Sequence, residues 1–324
     1  MLTDRFGRSI EYLRLSVTDR CDLRCTYCMP KGFKGFEEPA HWLNFDEIAR
    51  LVAAFARLGT SRIRLTGGEP LLRRNLAQLA ARIAGTPGIR DLSLSTNATR
   101  LARHAGELKA AGVSRINVSL DSLDRACMEQ ITGRDSHAQI MAGLAAGKAA
   151  GFAPIKINMV AMQGVNDDEI DDMVAFCIEQ GFILRLIEAM PVGDSGRNAG
   201  FLDLREVQAR LQAKFDLRPQ ALELGGGPAR YLTTPNGDAN IGFITAMSQH
   251  FCATCNRVRL SVDGTLYLCL GQEEKFEFRP LLRGGASDAE LEAAICQAIE
   301  LKPQQHDFRE QPHKVVRFMS QTGG

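Results

Sequence analysis

The sequence predicts an α/β protein: a parallel sheet flanked by helices over residues 1–218, then a smaller α+β region over 219–324. Three observations carry this. Short β-branched or leucine-rich runs alternate with helical periodicity through the first two-thirds, as in repeated strand–helix units. Informative polar residues gather where these runs end. The rhythm stops near residue 218, and Gly225-Gly226-Gly227-Pro228 leads into short strand-like runs and one more helix.

In chain order, strands are expected at 13–17, 62–66, 92–96, 116–120, 155–160 and 183–188, and helices at 45–58, 76–83, 101–111, 138–150 and 168–180. Asn44 and Asp46 supply helix-start chemistry, while Gly59, Gly112, Gly151 and Gly181 follow helices as stops. Pro70 suits a helix's first position. Six units are too few for an eight-stranded barrel; they can curl into an open one or lie as a doubly wound sheet. Periodicity does not separate these. Both bring strand C-termini to one face, where ligands bind. Thr66-Gly67-Gly68-Glu69, Ser95-Thr96-Asn97, Ser119-Leu120-Asp121 and Glu188-Ala189-Met190 stand at those ends. Later strands are expected at 230–233, 241–246, 258–262 and 266–270, with Asp263-Gly264 as a hairpin turn, before a helix at 288–301.

The 324 residues, 45% apolar, suffice for a large core. A net charge of +1 gives no global field toward nucleic acid or an anionic membrane, so any anion site must be a local cluster of cations. The first seventeen residues hold no apolar signal core and no run approaches a membrane span, so a cytoplasmic protein with reduced thiols is expected. Nine cysteines cannot all pair within one chain. Cys127, Cys177 and Cys296 each stand alone in a helix-like stretch and read as small buried hydrophobes.

The other six fall into two triads: Cys21, Cys25 and Cys28, then Cys252, Cys255 and Cys269. Three thiolates leave a four-coordinate site incomplete, and here that happens twice. On a cubane iron–sulfur cluster, three cysteines hold three irons and leave the fourth open to a small molecule. For the first triad, zinc needs a fourth ligand, and His41 is poorly spaced to supply it. For the second, zinc and iron–sulfur are equal alternatives on that segment alone, because His250 can complete a zinc ribbon.

The CxxxCxxC loop, with Tyr27 before its last cysteine, resembles the signature of the radical S-adenosylmethionine (radical SAM) superfamily. That resemblance implies a 4Fe–4S cluster whose open iron chelates S-adenosylmethionine, and an open, incomplete six-stranded parallel barrel. It also implies that Gly68 in the Thr66–Pro70 turn, Tyr27, Ser119 and Met190 line the cofactor's pocket. The stretch from Phe251 to Leu270 further resembles the second cluster segment of the GTP 3′,8-cyclase family, which opens molybdenum cofactor biosynthesis. The likeness includes residues 13–21, the Gly-Gly-Glu-Pro turn, 116–121 and the terminal Gly323-Gly324, and so spans nearly the whole chain.

By that resemblance a second 4Fe–4S cluster binds the guanine of GTP through its open iron. A 5′-deoxyadenosyl radical takes hydrogen from ribose C3′, and the carbon radical closes onto guanine C8. Arg14, Arg64, Ser95, Lys156, Arg257, Val258 and Arg259 are the implied substrate contacts. Arg257 and Arg259 alternate with Val258 and Leu260, so both arginines should share one strand face. The implied partners are GTP, a reductant such as flavodoxin or ferredoxin, a cyclic pyranopterin monophosphate synthase that receives the product, and a second copy in a homodimer. Neither nucleic acid nor membrane is expected. The Gly-Gly tail is implied to thread into the site. Two positions depart from the family: Ala98 where glycine is usual, and Thr322 where an apolar residue is common. The rival readings are another two-cluster radical enzyme acting on a peptide or small molecule, and a non-catalytic zinc-binding adaptor.

Overall fold

Along the strands Tyr12–Ser16, Arg62–Thr66 and Arg257–Leu260 apolar residues alternate with arginines, so that one strand face is apolar and the other cationic. A computed structural model describes residues 1–29, 39–220 and 224–323; Gly324 of the tail lies outside the described residues. In order, the elements begin Tyr12–Ser16 (β1), Phe45–Arg57 (α1), Arg62–Thr66 (β2), Leu76–Ala84 (α2), Asp91–Thr96 (β3) and Leu101–Ala110 (α3). Next come Arg115–Ser119 (β4), Arg125–Thr132 (α4), His137–Ala149 (α5), Ile155–Ala161 (β5), Ile170–Gln180 (α6) and Ile183–Glu188 (β6). Gly193–Arg197 (α7), Leu204–Phe215 (α8), Arg218–Gln220 (β7), Arg230–Thr233 (β8), Asn240–Ile244 (β9) and Arg257–Leu260 (β10) follow. Thr265–Tyr267 (β11), Lys275–Glu277 (β12), Arg279–Arg283 (α9), Asp288–Glu300 (α10) and Met319–Thr322 (α11) complete the chain.

The strands form a twelve-stranded sheet in the order β12-β11-β10-β1-β2-β3-β4-β5-β6-β9-β8-β7. The six expected strands lie side by side and parallel. Residues after 218 add one further parallel strand at each edge: β10 beside β1, and β9 beside β6. Antiparallel hairpins extend both edges, and β10 and β9 do not pair, so the sheet is an open barrel. No crossover helix leads into β9 or β10, which is why the strand–helix rhythm gave no sign that they continue the parallel run.

Local chemistry accounts for the element ends. Asn44 caps α1 in a reciprocal capping box with Glu47. Gly181 closes α6 at φ 70, a left-handed turn that glycine enters without strain. Pro70 opens a single 3₁₀ turn, Pro70–Leu72, and α2 starts only at Leu76. Gly264 donates to the Ser261 carbonyl (3.1 Å) at the β10–β11 hairpin.

Outward strand residues such as Leu13, Leu15, Ile63, Leu65, Leu94, Val118, Ile157 and Leu186 are fully buried against the helices in one core. Each such side chain is worth roughly 1.5–3 kcal/mol. Cys177 belongs to that core, as expected. Cys127 is only half-buried and Cys296 is exposed, so the expectation of burial fails for both. α10 turns Leu291, Ile295 and Ile299 inward, which leaves the next residue after Ile295 facing solvent. Among the described residues no helix is long and apolar enough to cross a membrane.

Candidate functional site

The inward strand faces carry the polar residues, and the two cysteine triads meet over them. Cys21, Cys25, Cys28, Cys252, Cys255 and Cys269 all line a single cavity of about 250 Å³. The first triad sits on the loop after β1. The second brackets β10 and β11, which pair on the same sheet edge.

Gly67 and Gly68 explain how the first loop is seated. A Cβ on Gly67 would lie 2.1 Å from the Thr18 carbonyl oxygen, and one on Gly68 2.3 Å from that of Arg20. Gly68 and Glu69 donate backbone N–H bonds to these same carbonyls at 3.0 and 2.7 Å. The close approach at this turn is therefore made by the cysteine loop's own backbone. Tyr27 donates to Asp121 Oδ2 at 2.8 Å, tying the loop to the end of β4. Asp121 Oδ1 accepts from Val160 N–H at 2.8 Å.

Of the residues expected beside S-adenosylmethionine, Tyr27, Gly68, Ser119 and Met190 line the cavity. Of those expected beside GTP, Arg14, Arg64, Ser95, Arg257 and Arg259 line it too. Two do not. The Val258 side chain lies in the hydrophobic core. Lys156 donates its Nζ to the Leu224 carbonyl at 2.6 Å, below the cavity. Burial, with Arg185, Arg115 and Arg64 nearby, lowers its ammonium to about 6.

The cations form a row. Arg259, Arg14 and Arg64 are direct neighbours across β10, β1 and β2. Burial and the guanidiniums of Arg259 and Arg64 push Arg14 well below its ordinary value. Burial, with Arg64 adding to it, also lowers Arg257, against the raising effect of Cys255 and Tyr12. Buried N–H groups of Arg14, Arg257 and Arg259 have no hydrogen-bond partner among the described residues. Several buried donors converging on one space, with no acceptor supplied by the chain, make a site for a polyanion.

The triads differ in surroundings. Burial, then the Asp121 carboxylate, pushes the Cys28 thiol up to about 12. Burial also raises Cys255, but Lys302 and Arg257 outweigh it and draw the thiol down to about 7. Among the described residues, no three cysteine, histidine or carboxylate side chains converge closely enough to hold a single metal ion. What supports a cluster is the donor set itself: the three cysteines of each triad reach the cavity, and a cubane takes one thiolate on each of three irons. His250, the ligand that zinc would need, is exposed and packs edge-on against His306, 5.9 Å between centroids.

Sequence reasoning missed Arg185, which lines the cavity and donates to Asn158 (2.8 Å) and Asn117 (2.5 Å). The available signal was a lone cation at an inward position among the apolar residues of 183–187. Glu188, placed by the sequence at a strand end but given no role, is buried and accepts from the backbone N–H groups of Met247 and Ser248 at 2.7 and 2.9 Å. That pair anchors the segment after β9 to the end of β6.

Residues 15–177 match the Radical SAM superfamily, and residues 182–308 match Molybdenum Cofactor Synthesis C. The GTP 3′,8-cyclase of Marinobacter nauticus is 44% identical over 328 residues, covering 100% of this chain and 98% of that protein. The GTP 3′,8-cyclase of Erythrobacter litoralis is 46% identical over 331 residues, with the same coverage of both. Among solved structures, Streptococcus suis SuiB bound to S-adenosylmethionine superposes with a TM-score of 0.63 at 17% identity, over 91% of this chain and 68% of that one. That likeness concerns the fold. Full-length identity at this level, joined to two triads on one cavity, places the chain in the GTP 3′,8-cyclase family of the Radical SAM superfamily.

Proposed function

We propose that this chain is a radical SAM lyase that converts GTP to (8S)-3′,8-cyclo-7,8-dihydroguanosine 5′-triphosphate, the first step of molybdenum cofactor biosynthesis. One observation carries the reading: both cysteine triads open onto a single cavity whose wall is a row of arginines with free N–H groups. When bound, two 4Fe–4S clusters and S-adenosylmethionine supply the electron and the 5′-deoxyadenosyl radical for hydrogen abstraction at ribose C3′.

The chain's own part is to bind, orient and exclude water. Cys21, Cys25 and Cys28 hold the first cluster, and Tyr27, Gly68, Ser119 and Met190 form the cofactor's walls. Cys252, Cys255 and Cys269 would hold the second, which would serve to bind the guanine. Arg14, Arg64, Arg257 and Arg259, with Ser95, clasp the triphosphate, and Arg185 extends this cationic wall. Lys156, which donates to the Leu224 carbonyl, supports the cationic wall from behind, and Val258 contributes through its backbone. Holding base and ribose in one geometry turns ring closure into an intramolecular step. Residues 1–218 thus carry the first cluster and the cofactor's walls, 219–324 carry the second cluster, and GTP is held by residues of both.

The proposal extends to a cytoplasmic enzyme, a homodimer, that draws electrons from a flavodoxin or ferredoxin. Its product passes to a cyclic pyranopterin monophosphate synthase. The test is anaerobic reconstitution followed by incubation of reduced protein with S-adenosylmethionine. About eight irons per chain are expected, with 5′-deoxyadenosine formation that depends on GTP. Formation indifferent to GTP would remove the substrate assignment, and two zincs in a colourless protein would remove the enzyme.

A further inference from the structure

Each cysteine of the second triad is tied to a buried cation that lies outside the 252–269 segment. Arg8, 8% exposed, donates to the Cys252 carbonyl at 2.9 Å. Arg317, 6% exposed, donates to the carbonyls of Cys269 (3.0 Å) and Leu270 (2.5 Å). Lys302, 1% exposed, follows α10 and donates to the carbonyls of Leu268 (2.6 Å) and Arg257 (3.1 Å) and to Cys255 Sγ (3.7 Å).

Lys302 stands apart from the other two. Arg8 pairs with Asp4 at 2.6 Å and Arg317 with Glu273 at 2.8 Å. Among the described residues no carboxylate pairs with Lys302. An ammonium has three N–H donors, and three acceptors meet this one. Two are neutral carbonyls, so its charge is answered at cysteine sulfur: Cys255 through the third bond, and Cys269 nearby. A buried charge without a counter-charge is costly. At the first triad, among the described residues, Arg24 donates to the Cys21 carbonyl at 2.6 Å, but the ionisable side chains acting on the sulfurs are the carboxylates Asp22, Glu69 and Asp121, and Cys21 Sγ accepts from the neutral Asn97 amide at 3.8 Å.

We infer that Lys302, flanked by Arg8 and Arg317, is a positioning residue for the second cluster. Its ammonium bridges the Arg257 and Leu268 carbonyls and so fixes the spacing between the strands bearing Cys255 and Cys269. It also gives a ligating sulfur a charged hydrogen bond. This rests on the two-cluster reading. Hydrogen bonds and positive charge at cluster sulfurs raise the reduction potential, and loss of such outer contacts weakens metal retention by about 10–100-fold.

The test compares anaerobically reconstituted parent and Lys302→Met proteins by redox titration of each cluster's electron paramagnetic resonance signal. S-adenosylmethionine identifies the first signal by perturbing it, and GTP identifies the second. In Lys302→Met the second midpoint is expected to move negative, and its iron to pass to a chelator at least about tenfold faster. The first cluster's midpoint stays put. Lys302→Arg, which keeps a charged donor, should recover most of the shift. Should Lys302→Met fail to fold, Lys302→Gln, which keeps a donor without the charge, carries the same expectation. Unchanged second-cluster values, or equal loss of both clusters, would overturn the inference while the two-cluster reading stood. A parent holding about four irons rather than eight would overturn both.

Discussion

Arg14 and Arg259 stand directly opposite each other on adjacent parallel strands, both reaching into the cavity, with Arg64 at the same level on Arg14's other side. Like charges held this close oppose folding of the apoprotein and favour a polyanion. Arg259→Met should therefore raise the apoprotein's stability by about 1–2 kcal/mol, as removal of a poorly compensated buried ion often does. It should also lose charge-assisted bonds of roughly 1.5–3 kcal/mol, weakening GTP binding about 10–150-fold. Denaturant unfolding and equilibrium GTP binding measure the two effects. Undiminished GTP affinity would place the triphosphate elsewhere.

The C-terminal tail docks by lacking side chains. A Cβ on Gly323 would lie 2.4 Å from both Cγ2 and Oγ1 of Thr66, and its φ of 71 is strained for other residues. Gly323→Ala should release the tail, so that trypsin cuts after Arg317 at least about tenfold faster, a population shift of ~1.4 kcal/mol or more. Thr322 is fully buried and its hydroxyl has no partner among the described residues. Thr322→Val should slow the same cleavage, by about 1 kcal/mol of regained tail stability. Cleavage rates unaltered in both variants would mean that the tail does not depend on this contact.

Ala98, where the family usually carries glycine, has φ 62 and is fully buried. Its carbonyl oxygen would lie 2.3 Å from a Cβ on Gly143, so α5 approaches here only because that residue is also bare. Ala98→Gly should stabilise the fold by about 0.5–1 kcal/mol, the strain relieved less the chain entropy that glycine adds. A lower melting temperature would count against strain at this position.

Glu69 is fully buried at the end of the Gly-Gly turn, accepting from Thr96 Oγ1 and Asn97 N–H at 2.7 Å each. Burial, with Asp22 adding to it, outweighs these donors and raises its carboxyl to about 7. The folded chain thus holds a proton that the unfolded chain has released. This contribution is complete below about pH 4.5 and is lost as pH rises through about 7; it amounts to about 3 kcal/mol at most. Apoprotein unfolding followed from pH 5 to 8 should show a falling component in the parent that Glu69→Gln lacks. Parallel pH curves for the two proteins would refute it.

Much of this was legible in the sequence because its causes are local. Asn44 and Asp46 mark a helix start within one turn, Asp263-Gly264 fixes a hairpin, and the period-2 pattern of Arg257 and Arg259 assigns both to one face. The cysteine spacings fix two three-ligand loops in the same way. Local pattern does not say which edge of a sheet a strand joins. The parallel addition of β9 and β10 at opposite edges became visible only when the chain was folded, and it is what brings the second triad over the first. Arg185 and Lys302 were hidden for a related reason. A buried cation is read from the acceptors that meet it, and those of Lys302 lie 34 to 47 residues away. By itself, then, the sequence determined the six strands of the parallel run, most helices between them, and the two groups of three cysteines, while helices such as α4 and α8 went unread. Tertiary structure alone decided that the two sets share one cavity, and which charges surround each.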